Sequence, residues 1–208
     1  MLRTNKLGLV TLILLLAAAG GCIFSPDPVP PCTDCNVDPT IQFPDSEDKL
    51  MANFQYIYET MDIDEFRKML HPQYITILQQ STRNTFPDVG ETLDLEEELR
   101  IHDRMFSKQD VFDPLNNPVP GVQTIQFQTF QRVGVWATSP ANDQIPNARN
   151  ALYSVQFLFD RGQTYSTLKV TGNIRFYVTS HDSLVNGVVK PYFRMRGQAD
   201  LTDDPPAK

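Results

Sequence analysis

Three cysteines and three histidines are the residues of this 208-residue chain best suited to chemistry on their own. Two of the cysteines form the run Cys32-Thr33-Asp34-Cys35. A redox-active pair at this spacing needs a helix N-terminus to lower the first thiol's pKa, and Pro30 and Pro31 begin no apolar helical pattern. Half of a zinc site is a second reading, but no other cysteine pair exists to complete it. A small disulfide loop between Cys32 and Cys35 is the reading these residues favour, and no metal is expected. His71, His102 and His181 are too scattered for a local metal motif. No Gly-rich phosphate loop, nucleophile elbow or His-Glu-x-x-His helix occurs, so no cofactor is implied. Arg194 and Arg196 alternate on one strand face. They could meet an anionic ligand or a partner's carboxylates, or form a solvent-facing pattern.

The third cysteine, Cys22, closes a targeting segment over residues 1–21. Arg3 and Lys6 make a positive start, Leu7–Leu16 is apolar apart from Gly8 and Thr11, and Ala17-Ala18-Ala19-Gly20-Gly21 is a run of small residues. The apolar stretch is shorter than the roughly 20 residues a spanning helix needs. Residues 22–45 then read as a tether, with prolines at 26, 28, 30, 31, 39 and 44. Extended polyproline geometry would let it reach on the order of 70 Å. Loss of residues 1–21 would remove Arg3 and Lys6 and no acid, moving the formal net charge from −7 to −9. That charge argues against nucleic acid, whose binding rests on Lys and Arg at phosphates, and against a polybasic membrane patch.

The elements that must position any site begin at Ser46, and one domain is expected over residues 46–203, with a disordered tail at 204–208. Asp45 or Ser46 can cap a first helix whose Leu50, Met51, Phe54, Ile57, Tyr58 and Met61 share a face. A short second helix starts near Asp62–Asp64 and is expected to end at Pro72, leaving His71 at its C-terminus. Tyr74–Leu78 reads as a strand and the stretch around Pro87 and Gly90 as a loop. Asp94 opens a third helix with Glu97 as capping-box partner, placing Leu95, Leu99, His102 and Phe106 on one face. After Pro120 the period changes from helical to two. Strands are expected over 122–138 (with a bulge near Phe130 and Gly134), 151–160, 164–180 and 188–201. Asn186-Gly187 is a hairpin turn. On the last strand Phe193, Met195, Ala199 and Leu201 are expected inward, with Arg194, Arg196, Gln198 and Asp200 on the other face.

Two resemblances follow. Ala19-Gly20-Gly21-Cys22 resembles a bacterial lipobox, with Ala19 where the usual pattern has Leu. The likeness implies cleavage before Cys22 and a lipid on its sulfur, hence a membrane anchor in the cell envelope. Ile23 is not an inner-membrane retention signal, which favours an outer membrane where the cell has two. Removing Cys22 from the count leaves Cys32 and Cys35 as an even pair for an oxidising compartment. The order of amphipathic helices then antiparallel hairpins predicts an α+β domain, with N-terminal helices packed on a curved antiparallel sheet in a cone. Leu50–Met61, the acidic turn Asp62-Ile63-Asp64-Glu65-Phe66 through Leu70-His71-Pro72, Tyr74-Ile75-Thr76-Ile77 and the closing strand ending at Asp200 resemble the cystatin-like, nuclear transport factor 2-like (NTF2-like, SnoaL-like) superfamily. The likeness implies a pocket between helices and sheet, and homodimers are a family-level expectation.

An enzyme of that superfamily would need a pocket base and an oxyanion donor. The candidates are His102 with Asp103, Tyr56 or Tyr58, and Asp200, so Tyr58, His102 and Asp200 form the candidate pocket. Each also has a plain structural reading: His102 as a satisfied helix-face residue, Tyr58 as core, Asp200 as solvated. With no catalytic motif present, the expected function is a non-enzymatic envelope lipoprotein that binds an envelope protein or small ligand. The alternative is a small pocket enzyme of isomerase or hydro-lyase type.

Overall fold

A computed structural model of the protein describes residues 40–113, 115–162 and 167–201, all within one compact unit, Pro39–Lys208. The targeting segment, Cys22, Cys32, Cys35, the rest of the tether up to residue 39 and the 204–208 tail lie outside the described residues. No helix among the described residues is long and apolar enough to cross a membrane.

Helix α1 spans Glu47–Thr60. The Ser46 hydroxyl accepts from the Lys49 N–H, and Glu47 and Asp48 face the positive end of the helix dipole. Met61, at φ 54°, turns the chain out of the helix. Asp62 caps α2, Ile63–Met69, by accepting from the N–H groups of Asp64 and Glu65. The helix stops sooner than Pro72 suggests. Strand β1 already runs from Leu70 to Ile77, so His71 and Pro72 are strand residues and His71 Nδ1 accepts from the Gln73 N–H. The expected loop contains a short helix α3, Gln80–Thr85, and ends in a strand β2, Thr92–Asp94. Helix α4, Leu95–Phe106, opens on the reciprocal Asp94–Glu97 capping box. A two-stranded ribbon of β3, Val111–Phe112, and β4, Pro118–Val119, follows. The long strands are β5, Thr124–Thr138; β6, Arg149–Asp160; β7, Leu168–Val185; and β8, Val188–Asp200.

Six strands form one sheet in the order β2-β1-β8-β7-β6-β5. It is a mixed sheet, not the wholly antiparallel one expected from the hairpins. The β5–β6–β7–β8 meander is antiparallel, but β1 pairs parallel to β8. Hairpins force antiparallel neighbours; β1 and β8 come from opposite ends of the domain and carry no such constraint. Strand β5 slips register between Phe127 and Thr129 and again between Val133 and Ala137, where Gly134 takes φ 84°. These irregularities lie where the parity of its apolar residues changes.

Helices α1, α2 and α4 pack their buried apolar residues with those of one sheet face. Phe54 sits at the centre of the core, with ring contacts to Tyr58, Phe127, Phe130 and Phe176 at 4.4–6.1 Å. A smaller cluster of Ile145, Ala148, Tyr177 and Ala199 seals the opposite face.

Strand β8 corrects the expected inward and outward sets. Met195 pairs with Val178 and Gly197 with Tyr177, so Arg196 bulges out of the ladder. One extra residue reverses every later side chain. Met195 packs in the main core, but Ala199 faces the opposite cluster and Gln198 turns toward the helices. Gly197 permits this because a Cβ there would lie 2.4 Å from Ile145 Cδ1 and 2.5 Å from the Ile75 carbonyl oxygen.

Candidate functional site

The reversal of β8 places Gln198 and Asp200 at a cavity of about 160 Å³. Thr76 of β1 completes its polar side, and Leu78, Val155, Phe157, Val170 and Ile174 supply an apolar remainder. A depression beside the entering chain, near Ile41 and Met69, has only about 30 Å³. Two roomier grooves, of about 230 and 320 Å³, run along the exposed side of α1. The cavity at β8 differs from all three in having a buried acid directly behind its wall.

That acid is Glu98, the side chain the sequence reading passed over. It is 3% exposed. Its Oε2 accepts from the Thr76 hydroxyl at 2.9 Å and its Oε1 from Gln198 Nε2 at 3.3 Å. The Tyr74 hydroxyl lies 3.0 Å from Thr76 Oγ1 and 3.4 Å from Glu98 Oε1. Thr76 gives its one proton to Glu98, which leaves Thr76 Oγ1 and Glu98 Oε1 as the two acceptors within reach of the single Tyr74 proton. Burial pushes the Glu98 carboxyl from 4.5 up to about 7, against the lowering effect of Thr76 and Tyr74. Two of its three partners, Thr76 and Gln198, line the cavity wall.

The candidates named from sequence divide into two places. Tyr58 and His102 do meet: the hydroxyl is 2.5 Å from Nε2 in the buried core. His102 Nδ1 lies 2.9 Å from the Glu98 carbonyl oxygen. A carbonyl only accepts, so Nδ1 carries the proton and Nε2 accepts from Tyr58. Burial lowers His102 to about 4, while Tyr58 is raised well above the usual phenol range, chiefly by burial. The 3.6 Å approach of Nδ1 to Glu98 Oε1 is therefore a contact of a neutral ring, not a salt bridge. Both ring nitrogens of His102 are committed inside the core, stacked against Phe66. Asp200 stands apart, at the cavity with Gln198. Asp103 is exposed and Tyr56 borders an α1 groove, so neither joins the site. Arg196 reaches the Gln73 carbonyl and Arg194 lies over the Tyr192 ring.

One signal for Glu98 was present in the sequence. It stands four residues before His102 and eight before Phe106, on the helix face they share. The three buried residues of α4 are Glu98, His102 and Phe106.

No protein-family model matches the chain, and no curated protein matches it in sequence. Among solved structures it is similar to an NTF2-like protein of unknown function in nutrient uptake from Rhodospirillum rubrum. The TM-score is 0.38 at 6% identity, over 74% of this chain and 95% of that one. It is also similar to an NTF2-like protein from Cytophaga hutchinsonii, with a TM-score of 0.35 at 12% identity, over 72% and 89% of the two chains. Likeness at this level carries no argument about what the cavity does.

Proposed function

We propose that the chain is an envelope lipoprotein, held at a membrane by a lipid on Cys22, whose NTF2-like domain binds a small apolar molecule bearing one polar group. The cavity at β8 carries the binding part of this reading. Its volume of about 160 Å³ is close to that of an engineered apolar cavity of about 150 Å³ that takes up benzene. A single ring or a short branched chain fits such a space. Thr76, Gln198 and Asp200 on one side would fix the ligand's polar group, while five apolar residues enclose the rest. Binding is favoured over turnover because His102 spends both ring nitrogens inside the core.

The anchor rests on the positive, apolar and small-residue order of residues 1–21 and on Cys22. The proline-rich tether then gives the domain reach from the surface, and a Cys32–Cys35 loop stiffens it. An outer membrane is the destination in a two-membrane cell.

A second reading has one observation in its favour. A carboxyl held near 7 behind a cavity is poised for acid–base work. An isomerase or hydro-lyase would use Glu98 through its Thr76 and Gln198 side.

The test is to extract the protein from its native envelope, denature it and identify small molecules released. The expected result is a compound of one-ring size from the wild type and none from Val170→Phe, which projects a ring into the cavity. A wild-type chain that releases nothing, with no thermal shift from any one-ring compound, overturns the binding reading. Turnover lost in Glu98→Gln with binding retained would establish the second reading instead.

A further inference from the structure

The β7–β8 hairpin extends past the rest of the sheet. Pairing of β6 with β7 ends at Arg149 and Val178, and pairing of β1 with β8 ends at Leu70 and Met195. From Ser180–Phe193 outward no other strand pairs with either of the two among the described residues. Six residues per strand at about 3.4 Å each make an arm of about 20 Å. Asn186 at φ 51° and Gly187 at φ 79° close it in the tight turn that matches strand twist.

Its tip is apolar on both faces. Leu184 faces Val189 across the ribbon, and Val185 faces Val188. Consecutive pairs point to opposite sides. Leu184, Val188 and Val189 are 72%, 57% and 63% exposed. A partner protein or second sheet would cover one face of such a ribbon. Apolar side chains on both faces, directly behind the Asn186-Gly187 turn, suit a surrounding apolar medium.

The next residues change character. Lys190 stands opposite Ser183, Pro191 opposite the exposed Asp182 and Tyr192 opposite His181, with the Arg194 guanidinium 5.4 Å from the Tyr192 ring centroid. An aromatic ring and flexible cations behind an apolar tip suit a membrane–water boundary. The chain also enters the domain at this level. Phe43 packs on Tyr192 with centroids 5.4 Å apart, and the Phe193 N–H donates to the Pro44 carbonyl at 2.9 Å.

We propose that the tip of this hairpin, Leu184 to Val189, inserts into a lipid surface. Two residue pairs and the turn measure about 10 Å, which matches the roughly 5–10 Å depth of interfacial insertion. Deeper entry is opposed because the outer edges of the ribbon carry unpaired backbone groups. The insertion uses the domain's own residues and does not depend on a lipid at Cys22.

The test uses the chain from Cys22 to Lys208 with Cys22→Ser, which contains every residue of both buried clusters, Leu50 to Ala199. Co-sedimentation with vesicles of phosphatidylethanolamine and phosphatidylglycerol, and with phosphatidylcholine alone, reads the partition coefficient. Leu184→Ser with Val189→Ser should lower it by about tenfold or more. Val135→Ser, at a valine 80% exposed on β5, should leave it unchanged. Absence of partitioning, or equal partitioning by the double variant, overturns the proposal. A dimer in solution that the double variant abolishes, without vesicle binding, assigns the arm to a second copy instead. Mass spectrometry of the native N-terminus tests the lipid anchor separately, so either reading can fail alone.

Discussion

Replacing Glu98 with Gln should change how stability depends on pH, by an amount set by burial. Folding moves the Glu98 carboxyl from 4.5 to about 7. Between those values the folded chain keeps a proton that the unfolded chain has released. Stability therefore falls as pH rises through that window and is level above it. At about 1.4 kcal/mol per pH unit the loss comes to about 3 kcal/mol. His102 acts in the opposite direction. Burial lowers it from 6.5 to about 4, so the unfolded chain holds the extra proton and stability falls as pH drops through that window, again by about 3 kcal/mol. Where the windows overlap, the two slopes nearly cancel in the wild type. The E98Q chain keeps an oxygen for the Thr76 hydroxyl but retains only the His102 slope. Urea titrations at steps from about pH 4 to pH 8 should show the stability of E98Q minus that of wild type growing by about 3 kcal/mol between pH 4.5 and 7, then staying constant. A difference flat across this range would refute the reasoning, because Glu98 would then ionise in the folded chain as it does in water.

Three further outcomes follow from the same packing. Thr76→Val removes the hydroxyl that donates to Glu98 and lies 3.0 Å from the Tyr74 hydroxyl; it should cost about 1–3 kcal/mol in urea titration and push the Glu98 carboxyl higher still. Gly197→Ala sets a methyl group against Ile145 and the Ile75 carbonyl and should cost about 1–3 kcal/mol, with lost protection of β8 amides in hydrogen exchange. Phe54→Ala empties the centre of the aromatic cluster and should cost about 3–5 kcal/mol by thermal or chemical unfolding.

The features legible in the sequence are those fixed by neighbours along the chain. Ser46 and the Asp94–Glu97 box set helix starts through bonds spanning three residues. Asn186-Gly187 sets a hairpin because both residues tolerate positive φ. What stayed hidden depends on distant partners. Glu98 reads as one more acid in Glu96-Glu97-Glu98, and only Tyr74, Thr76 and Gln198, from two other strands, make it a buried one. Asp200 and Gln198 read as outward because the bulge at Arg196 rests on Gly197 packing under Ile145. Likewise, the parallel pairing of β1 with β8 joins the two ends of the domain, beyond the reach of any local period. His102 and Tyr58 each read as lying on the apolar face of a helix, and their hydrogen bond commits both to the core and leaves the cavity to others.

Native mass spectrometry of the protein taken intact from its envelope in detergent tests the central claim most directly. The expected chain begins at a lipid-modified Cys22 and carries one small non-covalent molecule, lost on unfolding and absent from Val170→Phe. An intact Met1 or an unmodified Cys22 would contradict the anchor, and a lipid-modified chain that never holds such a molecule would contradict the role given to the cavity.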